Sequence, residues 1–499
     1  MSAISGFESI LFGALADTGQ ATFAIQGTAQ VYQTLSILQI SDDPERTLSS
    51  GQRYTWQSSQ DGANWVDIGN NESYTIREQD EGLLIRASIG YFDLAGNYSV
   101  SPTSATTLVA APTSTPVTSL EATNDLLSSV YSLTESTTDA TLTGTEYTGA
   151  VGNQLDNTLK ANNFGDYLSG AGGDDQLSGG TGSDVLYAGD GNDLVDAGEG
   201  DDLIIGGDGA GDDTYIGGDG IDTVKYTSSH SGITVDLSLG AATSGAGKDA
   251  AGIGTDVLSE IENVIAGNFD DTLIGNELDN RLDGLVGNDI LYGGTGADTL
   301  IGGTGNDTYV VDNVGDIVTE SSTVSSEIDT VLSSVGYSLD ANTENLALTG
   351  FGNVDGTGND IVNTIVGNAG SNIIDGNAGN DILYGGMGND TFNFSTTLSE
   401  TSNVDTIMDF TRGDHIGLSP SIFSALVDSV MTSEFQSSDT ISASSATGSA
   451  HLLYNTGTGA LYYDADGAGG ANAVLFANVG PYGLAHPHPM LTAADFLIE

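Results

Sequence analysis

A nine-residue phase constrains the fold of this chain more than any other feature. Residues 179–205 read GGTGSDVLYAGDGNDLVDAGEGDDLII, which is three blocks of nine. In each block the fourth residue is Gly, the sixth is Asp and the eighth is aliphatic, as at Gly182, Asp184 and Leu186. A unit this short cannot bury a core alone, so the phase indicates a stack of repeated units. Phased runs occupy residues 152–225, 266–310 and 358–393.

The block predicts its own local structure. Six Gly-rich residues form a tight turn, because Gly adopts positive φ at little cost. The three residues that follow form a short strand whose middle, aliphatic side chain points inward. Two blocks then close one coil, and the strands of successive coils stack in parallel at about 4.8 Å. The sequence therefore predicts an all-β protein with a parallel solenoid and a thin aliphatic core.

This stacking places acid over acid. Asp175 lies over Asp193, and Asp184 over Asp202. Two unit charges at about 4.8 Å repel by roughly 3.5 kcal/mol at an effective dielectric constant of about 20. One buried core side chain contributes only about 1.5–3 kcal/mol. The chain has Lys plus Arg 9 against Asp plus Glu 69, so it cannot neutralise the ladder with its own cations. We therefore expect a bound divalent cation between the turns.

The donor atoms indicate which cation. Carboxylates and backbone carbonyls are hard oxygen ligands in flexible loops, which favours Ca²⁺ over Mg²⁺. The chain has no Cys, and its few His residues do not follow the repeat, so zinc and copper are not indicated. A net charge of -60 disfavours binding to nucleic acid or an anionic membrane. No apolar run is long enough to predict a transmembrane helix.

Four blocks carry a family resemblance. GGTGSDVLY, GGTGADTLI, GGTGNDTYV and GGMGNDTFN resemble the glycine-rich nonapeptide of RTX proteins, over about residues 143–430. The resemblance implies a parallel β-roll in which sixth-place Asp residues and loop carbonyls bind Ca²⁺. The implied ligands are Asp166, Asp175, Asp184, Asp193, Asp202, Asp213, Asp222, Asp271, Asp289, Asp298, Asp307, Asp381 and Asp390. Turns with Asn at this place are expected to stack without metal, at Asn157, Asn280, Asn363 and Asn372.

The rest of the chain differs in pattern. Residues 21–110 alternate short strand-like runs with turn signals, which predicts an antiparallel sandwich similar to bacterial immunoglobulin-like modules, with Trp56 and Trp65 in its core. Non-repetitive strand segments between the runs are predicted to cap each roll. The predicted divisions are 1–20 (N-terminal segment, possible strand), 21–110 (Ig-like sandwich), 111–125 (linker), 126–260, 261–348 and 349–430 (three β-rolls with caps) and 431–499 (C-terminal β segment).

The resemblance also bears on function. RTX proteins are typically exported by type I secretion with an uncleaved C-terminal signal, and LTAADFLIE (491–499) resembles such an ending. This predicts a secreted, extracellular protein. It agrees with an N-terminus that lacks the basic region of a secretory signal. Neither HExxH nor GxSxG is present, and we expect no enzyme.

Three functions remain open. The first is a calcium-binding structural protein of the cell surface (a surface layer, sheath or extracellular filament) that self-associates, with the apolar ILFGALA (10–16) adding to a neighbour's sheet. The second is a calcium-dependent adhesin whose Ig-like domain binds a cell-surface glycan or a protein. The third is an enzyme with an unrecognised site. Asp464 and Asp466 form either a further calcium site or a plain turn, and HPHP (486–489) is more consistent with an exposed loop than with a metal site.

Overall fold

The structure is a computed structural model that describes most of the chain as two compact units, one within residues 1–161 and one within 162–499. The N-terminal segment 1–20, with its predicted strand, lies outside the described residues, as does His486 of the HPHP motif. The described residues are 22–26, 34–41, 53–60, 63–70, 73–75, 83–92, 98–102, 119–122, 129–143, 148–206, 211–244, 251–324, 326–467, 470–480 and 488–499.

The first unit begins with two antiparallel sheets. The strands pair in the orders β1–β2–β5 and β4–β3–β6–β7. Trp56 of one sheet is buried and stacks on Tyr74 of the other, with ring centroids 5.7 Å apart, so the two sheets face each other. The strands are β1 Thr22–Gln26, β2 Thr34–Ser41, β3 Arg53–Ser59, β4 Val66–Gly69, β5 Ser73–Thr75, β6 Leu84–Phe92 and β7 Tyr98–Pro102.

These sheets confirm the antiparallel strands predicted for residues 21–110, and the Ig-like identity stays a prediction. The buried position predicted for Trp56 is confirmed. Trp65 is only half-buried, and the guanidinium of Arg86 lies 4.2 Å from its ring centroid. Trp65 is therefore a surface aromatic that packs against a cation rather than a core residue.

The first unit ends in parallel strands. They pair as β8–β10–β12 and β9–β11, with Ser119, Asp139 and Thr158 in register. Strand β8 lies within the segment predicted as a linker. The strands are β8 Ser119–Ala122, β9 Ser129–Ser132, β10 Asp139–Leu142, β11 Thr148–Val151 and β12 Thr158–Lys160.

The second unit is a parallel β-solenoid. Its strands are β13 Tyr167–Gly172, β14 Gln176–Thr181, β15 Val185–Asp190, β16 Leu194–Glu199, β17 Leu203–Ile205, β18 Thr214–Asp219, β19 Thr223–Lys225, β20 Ile233–Asp236, β21 Ala241–Ser244, β22 Thr255–Ser259, β23 Asn263–Ile265, β24 Thr272–Ile274, β25 Arg281–Val286, β26 Ile290–Tyr292, β27 Thr299–Thr304 and β28 Thr308–Val311. They continue with β29 Ile317–Thr319, β30 Thr330–Ser333, β31 Tyr337–Ser338, β32 Asn345–Leu348, β33 Gly356–Thr357, β34 Thr364–Val366, β35 Ile373–Asp375, β36 Ile382–Tyr384, β37 Thr391–Phe394, β38 Asp405–Ile407, β39 His415–Leu418, β40 Phe435–Ser438, β41 Leu452–Asn455, β42 Ala460–Tyr463, β43 Val474–Val479 and β44 Phe496–Ile498, which a 3₁₀ turn at Ala493–Asp495 precedes.

Pairing in the arrays confirms the predicted coil. Tyr167 is in register with Val185, and Gln176 with Leu194, so each coil contains 18 residues, or two blocks. The first sheet of the solenoid runs β13–β15–β17–β19–β23–β25–β27–β29. The second sheet includes two rows of parallel strands, β14–β16–β18–β22 and β24–β26–β28–β30–β32–β34–β36–β38. Strands β20 and β21 pair antiparallel with each other and connect the two rows, because β21 pairs with β22 and β20 pairs with β24. A third sheet runs β31–β33–β35–β37–β39–β44.

The segments predicted as caps do not end the stack. Strands β30 and β32 pair with β28 on one side and β34 on the other, so they join the second array to the third. The physical reason is that these segments keep an inward aliphatic in each strand, such as Val331 and Leu346, and therefore continue the same core. The C-terminal strand β44 pairs in parallel with β39 at the edge of the third sheet.

The core is one residue wide on each sheet. In most three-residue strands of the arrays the middle residue is buried and the flanking residues are more exposed, as predicted, for example in β17, β19 and β24. In the first sheet Leu168, Leu186 and Ile204 stack directly over one another. Each side chain therefore packs mainly on its counterparts in adjacent coils and on the facing sheet.

The glycines allow the turns to stack closely. Gly191 has φ of 129°, and a Cβ at this position would overlap with the carbonyl oxygen of Gly173 in the adjacent coil. The fourth place of the block therefore requires Gly both for its backbone conformation and for the close approach of two coils. Across the described ranges no helix is long and apolar enough to cross a membrane.

Candidate metal centres

The sixth-place aspartates form hydrogen-bonded ladders along the turns. The backbone N–H of Asp175 donates to Oδ1 of Asp193 (2.8 Å), 18 residues later in the chain. The N–H of Asp184 donates in the same way to Oδ1 of Asp202 (2.7 Å). The second array repeats the bond between Asp289 and Asp307 (2.7 Å). We call each sixth-place residue of a ladder a rung. One carboxylate oxygen of each Asp rung therefore fixes the side chain against the adjacent coil.

The second oxygen of most rungs lacks a protein partner. Oδ2 is buried and accepts no hydrogen bond in Asp184, Asp193, Asp202, Asp222, Asp289, Asp298, Asp307 and Asp381. A buried polar atom without a partner costs about 1–3 kcal/mol, and more when it is charged. The same defect in so many equivalent positions indicates that a ligand completes these sites.

The first glycine of the block leaves the space for this oxygen. A Cβ built on Gly293 would overlap with Oδ2 of Asp298, and one on Gly376 would overlap with Oδ2 of Asp381. In these two blocks a side chain at the first place would displace the carboxylate, whereas the blocks of Asp193 and Asp202 carry Ala188 and Ala197 at this place.

Burial disfavours the charged form of these carboxylates when no cation is bound. Desolvation raises the pKa of Asp184 to about 8 and that of Asp193 to about 7. The pKa of Asp289 is likewise raised to about 8 by burial, with a further contribution from the charge of Asp271 below it. Among the described residues, the one salt bridge joins Arg281 to Asp283, which faces outward, so it does not neutralise the ladders.

These residues fit Ca²⁺. The site offers buried carboxylate oxygens and the carbonyls of Gly-rich turns, which are the hard ligands that Ca²⁺ takes in sets of six to eight. The orphaned Oδ2 atoms would receive the ion. A bound divalent cation would offset both the desolvation of the carboxylates and their mutual repulsion.

Comparison with protein families agrees with this geometry. A family model described as the RTX calcium-binding nonapeptide repeat (4 copies) matches residues 151–186, 178–210, 187–224, 274–309 and 356–392. The chain carries RTX calcium-binding nonapeptide repeats. The RTX repeats bind Ca²⁺ at multiple sites, and proteins that contain them are typically secreted. A search of curated proteins found no match.

The RTX ladder is not uniform among the predicted ligands. Oδ2 of Asp271 accepts the backbone N–H of Gly267 (3.0 Å), and Asp166 accepts that of Asn162 (2.8 Å). Both residues lie at the start of a run. Asp213, one block before the end of the first run, accepts the hydroxyl of Tyr215 (2.7 Å). Asp175 and Asp390 lie in the ladders and also hydrogen-bond across coils through Asp193 and Asn372. We therefore propose the orphaned aspartates as the principal ligands.

The Asn rungs satisfy their own hydrogen bonds. Asn280 accepts the N–H of Asn276 (2.7 Å) and donates its amide to the carbonyl of Glu262 (2.8 Å). Asn372 donates to the carbonyl of Val354 (2.6 Å) in the same manner. In each case the Asn side-chain amide donates to a backbone carbonyl oxygen that could otherwise bind a cation. This geometry supports the prediction that the Asn turns stack without metal.

Sequence reasoning missed several rungs. Asp213, Asp222, Asp307 and Asp381 donate their backbone N–H groups to acids outside the assigned set. Glu262 and Asp329 each precede a strand whose second residue is an inward aliphatic, as in IDTV (328–331), and that pattern was a usable signal, whereas Asp256 lies inside β22 and Asp405 begins β38. The missed acids are Asp256, Glu262, Asp329 and Asp405, together with Asp316 and Asp414, which accept the N–H groups of Asp298 and Asp390.

The DADG segment forms a hydrogen-bonded turn. Asp466 accepts the N–H groups of Gly470 (3.1 Å) and Ala471 (3.3 Å), while Asp464 accepts the N–H of Asp466 (3.2 Å). These hydrogen bonds engage both carboxylates without a metal ion. In the HPHP motif, Nδ1 of His488 lies 2.9 Å from the carbonyl oxygen of Val479, which ties the ring to the backbone.

The raised pKa values predict an unusual pH dependence for the calcium-free solenoid. The folded-state pKa values of Asp184, Asp193 and Asp289 lie at about 7 to 8, above about 3.9 in an unfolded chain. The folded state then binds more protons, so the free energy of unfolding falls as pH rises from about 4 to about 8. Without calcium, we expect more β-structure at pH 5 than at pH 8 by far-UV circular dichroism. Equal or greater β-structure at pH 8 would contradict the raised pKa values of these carboxylates.

Two isosteric substitutions distinguish an orphaned rung from a satisfied one. Asp193→Asn keeps the Oδ1 acceptor but places an amide where the orphaned oxygen lies, so the midpoint of a calcium titration should rise by at least about tenfold, or about 1.4 kcal/mol. Asp213→Asn alters a rung that Tyr215 already satisfies. Its midpoint should rise by less than about threefold. Both midpoints come from tyrosine fluorescence titrations, and equal shifts would show that the orphaned oxygen does not select the ligand.

Proposed function

We propose that this chain is a secreted, calcium-dependent structural protein of the cell surface that assembles into a layer, sheath or filament. The observation that carries the proposal is an apolar row on the outer face of the second sheet. The row consists of one residue from each of seven neighbouring strands, in register: Ile274, Tyr292, Val310, Leu332, Ala347, Val366 and Tyr384.

The apolar row is accessible. Val366 is 37% exposed and Tyr292 is 36% exposed, and the other members are half-buried. Seven strands at about 4.8 Å give a length of about 29 Å. Continuous apolar surface of this kind marks protein–protein contact sites. Its flat, linear shape matches a second copy of the same row.

The opposite face has no such row. The corresponding outward residues of the first sheet include Lys225 and Asp283, which interrupt Ile205, Ile265 and Ile301. A dehydrated contact across this face would bury charges at a cost. The difference between the two faces supports self-association through the second sheet.

Calcium supports this function in two ways. The cation completes the buried carboxylate sites, and the folded solenoid then presents the row in register. Bound cations also lower the repulsion between two chains that each carry a net charge of -60. The proposal therefore couples folding and assembly to the calcium concentration outside the cell. Export through a C-terminal type I signal is part of the same proposal.

The test uses two matched Lys substitutions. Val366→Lys places a cation in the apolar row, whereas Ile301→Lys makes the same charge change on the first sheet, beside Asp283. In millimolar calcium we expect wild type and Ile301→Lys to form large particles by sedimentation and light scattering. Val366→Lys should lower the assembled fraction by at least about fivefold, because a Lys ammonium would be desolvated in the contact.

The outcomes separate the alternatives. A wild-type protein that stays monomeric in millimolar calcium contradicts the structural function, and the adhesin becomes the leading candidate. If all three proteins assemble equally, the structural function stands but the apolar row is not its contact surface. Turnover of a substrate by the monomer would instead favour the enzyme alternative.

A further inference from the structure

The non-repetitive coil after the second array contains an acidic cluster outside the phased repeats. Asp307 is the last aspartate of that array, and Glu320 and Asp329 follow it in a coil without the Gly-rich block. One ligand oxygen from each residue lies within 4.8 Å of the others, and all three residues are buried. We name these residues the junction cluster.

The coil is lengthened at this point. Asp307 and Asp329 occupy successive rungs, because the N–H of Asp307 donates to Oδ1 of Asp329 (2.7 Å). They are 22 residues apart, whereas rungs within the arrays are 18 apart. The additional residues lie in the segment between β29 and β30, and this segment brings Glu320 to the ladder. The longer coil thereby adds a carboxylate to a rung that otherwise has the form of the repeat.

Hydrogen bonds hold all three carboxylates, through both oxygens in Glu320 and through Oδ1 in Asp307 and Asp329. The hydroxyl of Tyr309 donates to Oε2 of Glu320 (2.8 Å), and the N–H of Ser322 donates to its Oε1 (2.7 Å). Oδ2 of Asp307 is buried and accepts no hydrogen bond. A Cβ built on Gly302 would overlap with both this orphaned oxygen and the Tyr309 hydroxyl, so Oδ2 of Asp307, on a side chain 1% exposed, lies beside the hydroxyl that binds Glu320. The orphaned oxygen is an observation independent of the acidity of the cluster.

Within the part of the chain that the structure describes, no cation serves this cluster. The charged groups that act on Asp307, Glu320 and Asp329 are themselves acids, among them Glu327 and Glu344. Three buried carboxylates without a counter-ion would repel one another strongly in a region of low dielectric constant. Each would also lose hydration. The cluster therefore needs either protons or a metal ion.

We propose that Asp307, Glu320 and Asp329 form a calcium site at the junction of the second array with the coil that follows. The ligand set is all oxygen and includes three carboxylates, which favours Ca²⁺ over softer metals. This site differs from the repeat sites because two of its three carboxylates come from residues outside the nonapeptide blocks. It would tie the 320–329 segment to the end of the array, where the phase of the ladder changes.

The inference rests on calcium binding by the chain and not on its assembly. Glu320→Gln removes one ligand charge with little change in shape. Glu327→Gln is the matched control, since Glu327 lies in the same segment and carries the same charge but is outside the junction cluster. Bound calcium per full-length chain is counted by equilibrium dialysis at saturating calcium and pH 7.5.

Glu320→Gln should bind one calcium ion fewer than wild type, and Glu327→Gln should bind the full number. Equal numbers in wild type and Glu320→Gln would overturn the junction site. Equal losses in the two variants would also overturn it, because the effect would then be one of general charge. A wild-type chain that binds no calcium would instead refute calcium binding itself, which is a distinct failure.

A second measurement covers the case in which Glu320→Gln disturbs the fold. Terbium ions replace Ca²⁺ and emit when a nearby tyrosine is excited, and the Tyr309 hydroxyl contacts Glu320 directly. Tyr309→Phe should bind as many terbium ions as wild type, with weaker tyrosine-excited emission. Emission equal to that of wild type would place no ion beside Tyr309 and would overturn the proposal.

Discussion

The structure depends on a carboxylate oxygen that is buried, repeated and left without a protein partner. In each array the Oδ1 atom of a rung anchors the adjacent coil, while Oδ2 of rungs such as Asp184, Asp298 and Asp381 lies beside the first-place glycine of its block. Asp184, Asp193 and Asp289 show the cost of this arrangement as a pKa raised by burial. We propose that near neutral pH a fold that repeats an unsatisfied charge in coil after coil needs a cation to complete each set, which would couple metal binding to folding.

Three kinds of hydrogen bond show how a turn is satisfied without an ion. Asp271 accepts a backbone N–H at the start of the second run, and Asp213, one block before the end of the first run, accepts the Tyr215 hydroxyl. Asn280 satisfies itself through its amide. We therefore expect cations at the orphaned aspartates, which include Asp222 at the end of the first array, rather than at these three positions. We also expect fewer bound ions than repeats.

The sequence predicted the regular part of the solenoid because a single period determines it. The spacing of Asp184 and Asp202 predicted the 18-residue coil and the ladder, and the eighth-place Leu186 predicted the inward core. The irregular rungs were not predictable from the period, since Asp256 follows Asp213 after 43 residues and Asp329 follows Asp307 after 22. Tyr215 occupies a core position, so its hydroxyl bond to Asp213 was visible only in three dimensions.

The central claim is that calcium folds the solenoid, and far-UV circular dichroism of the full-length chain at pH 8 tests it most directly. With excess EDTA, the β-signal of the solenoid should be largely lost. The residual signal should come from the antiparallel sheets of the first unit, which lack the ladders. Restoring millimolar calcium should recover the full spectrum. An unchanged spectrum in EDTA, in protein shown by elemental analysis to contain no calcium, would contradict the account.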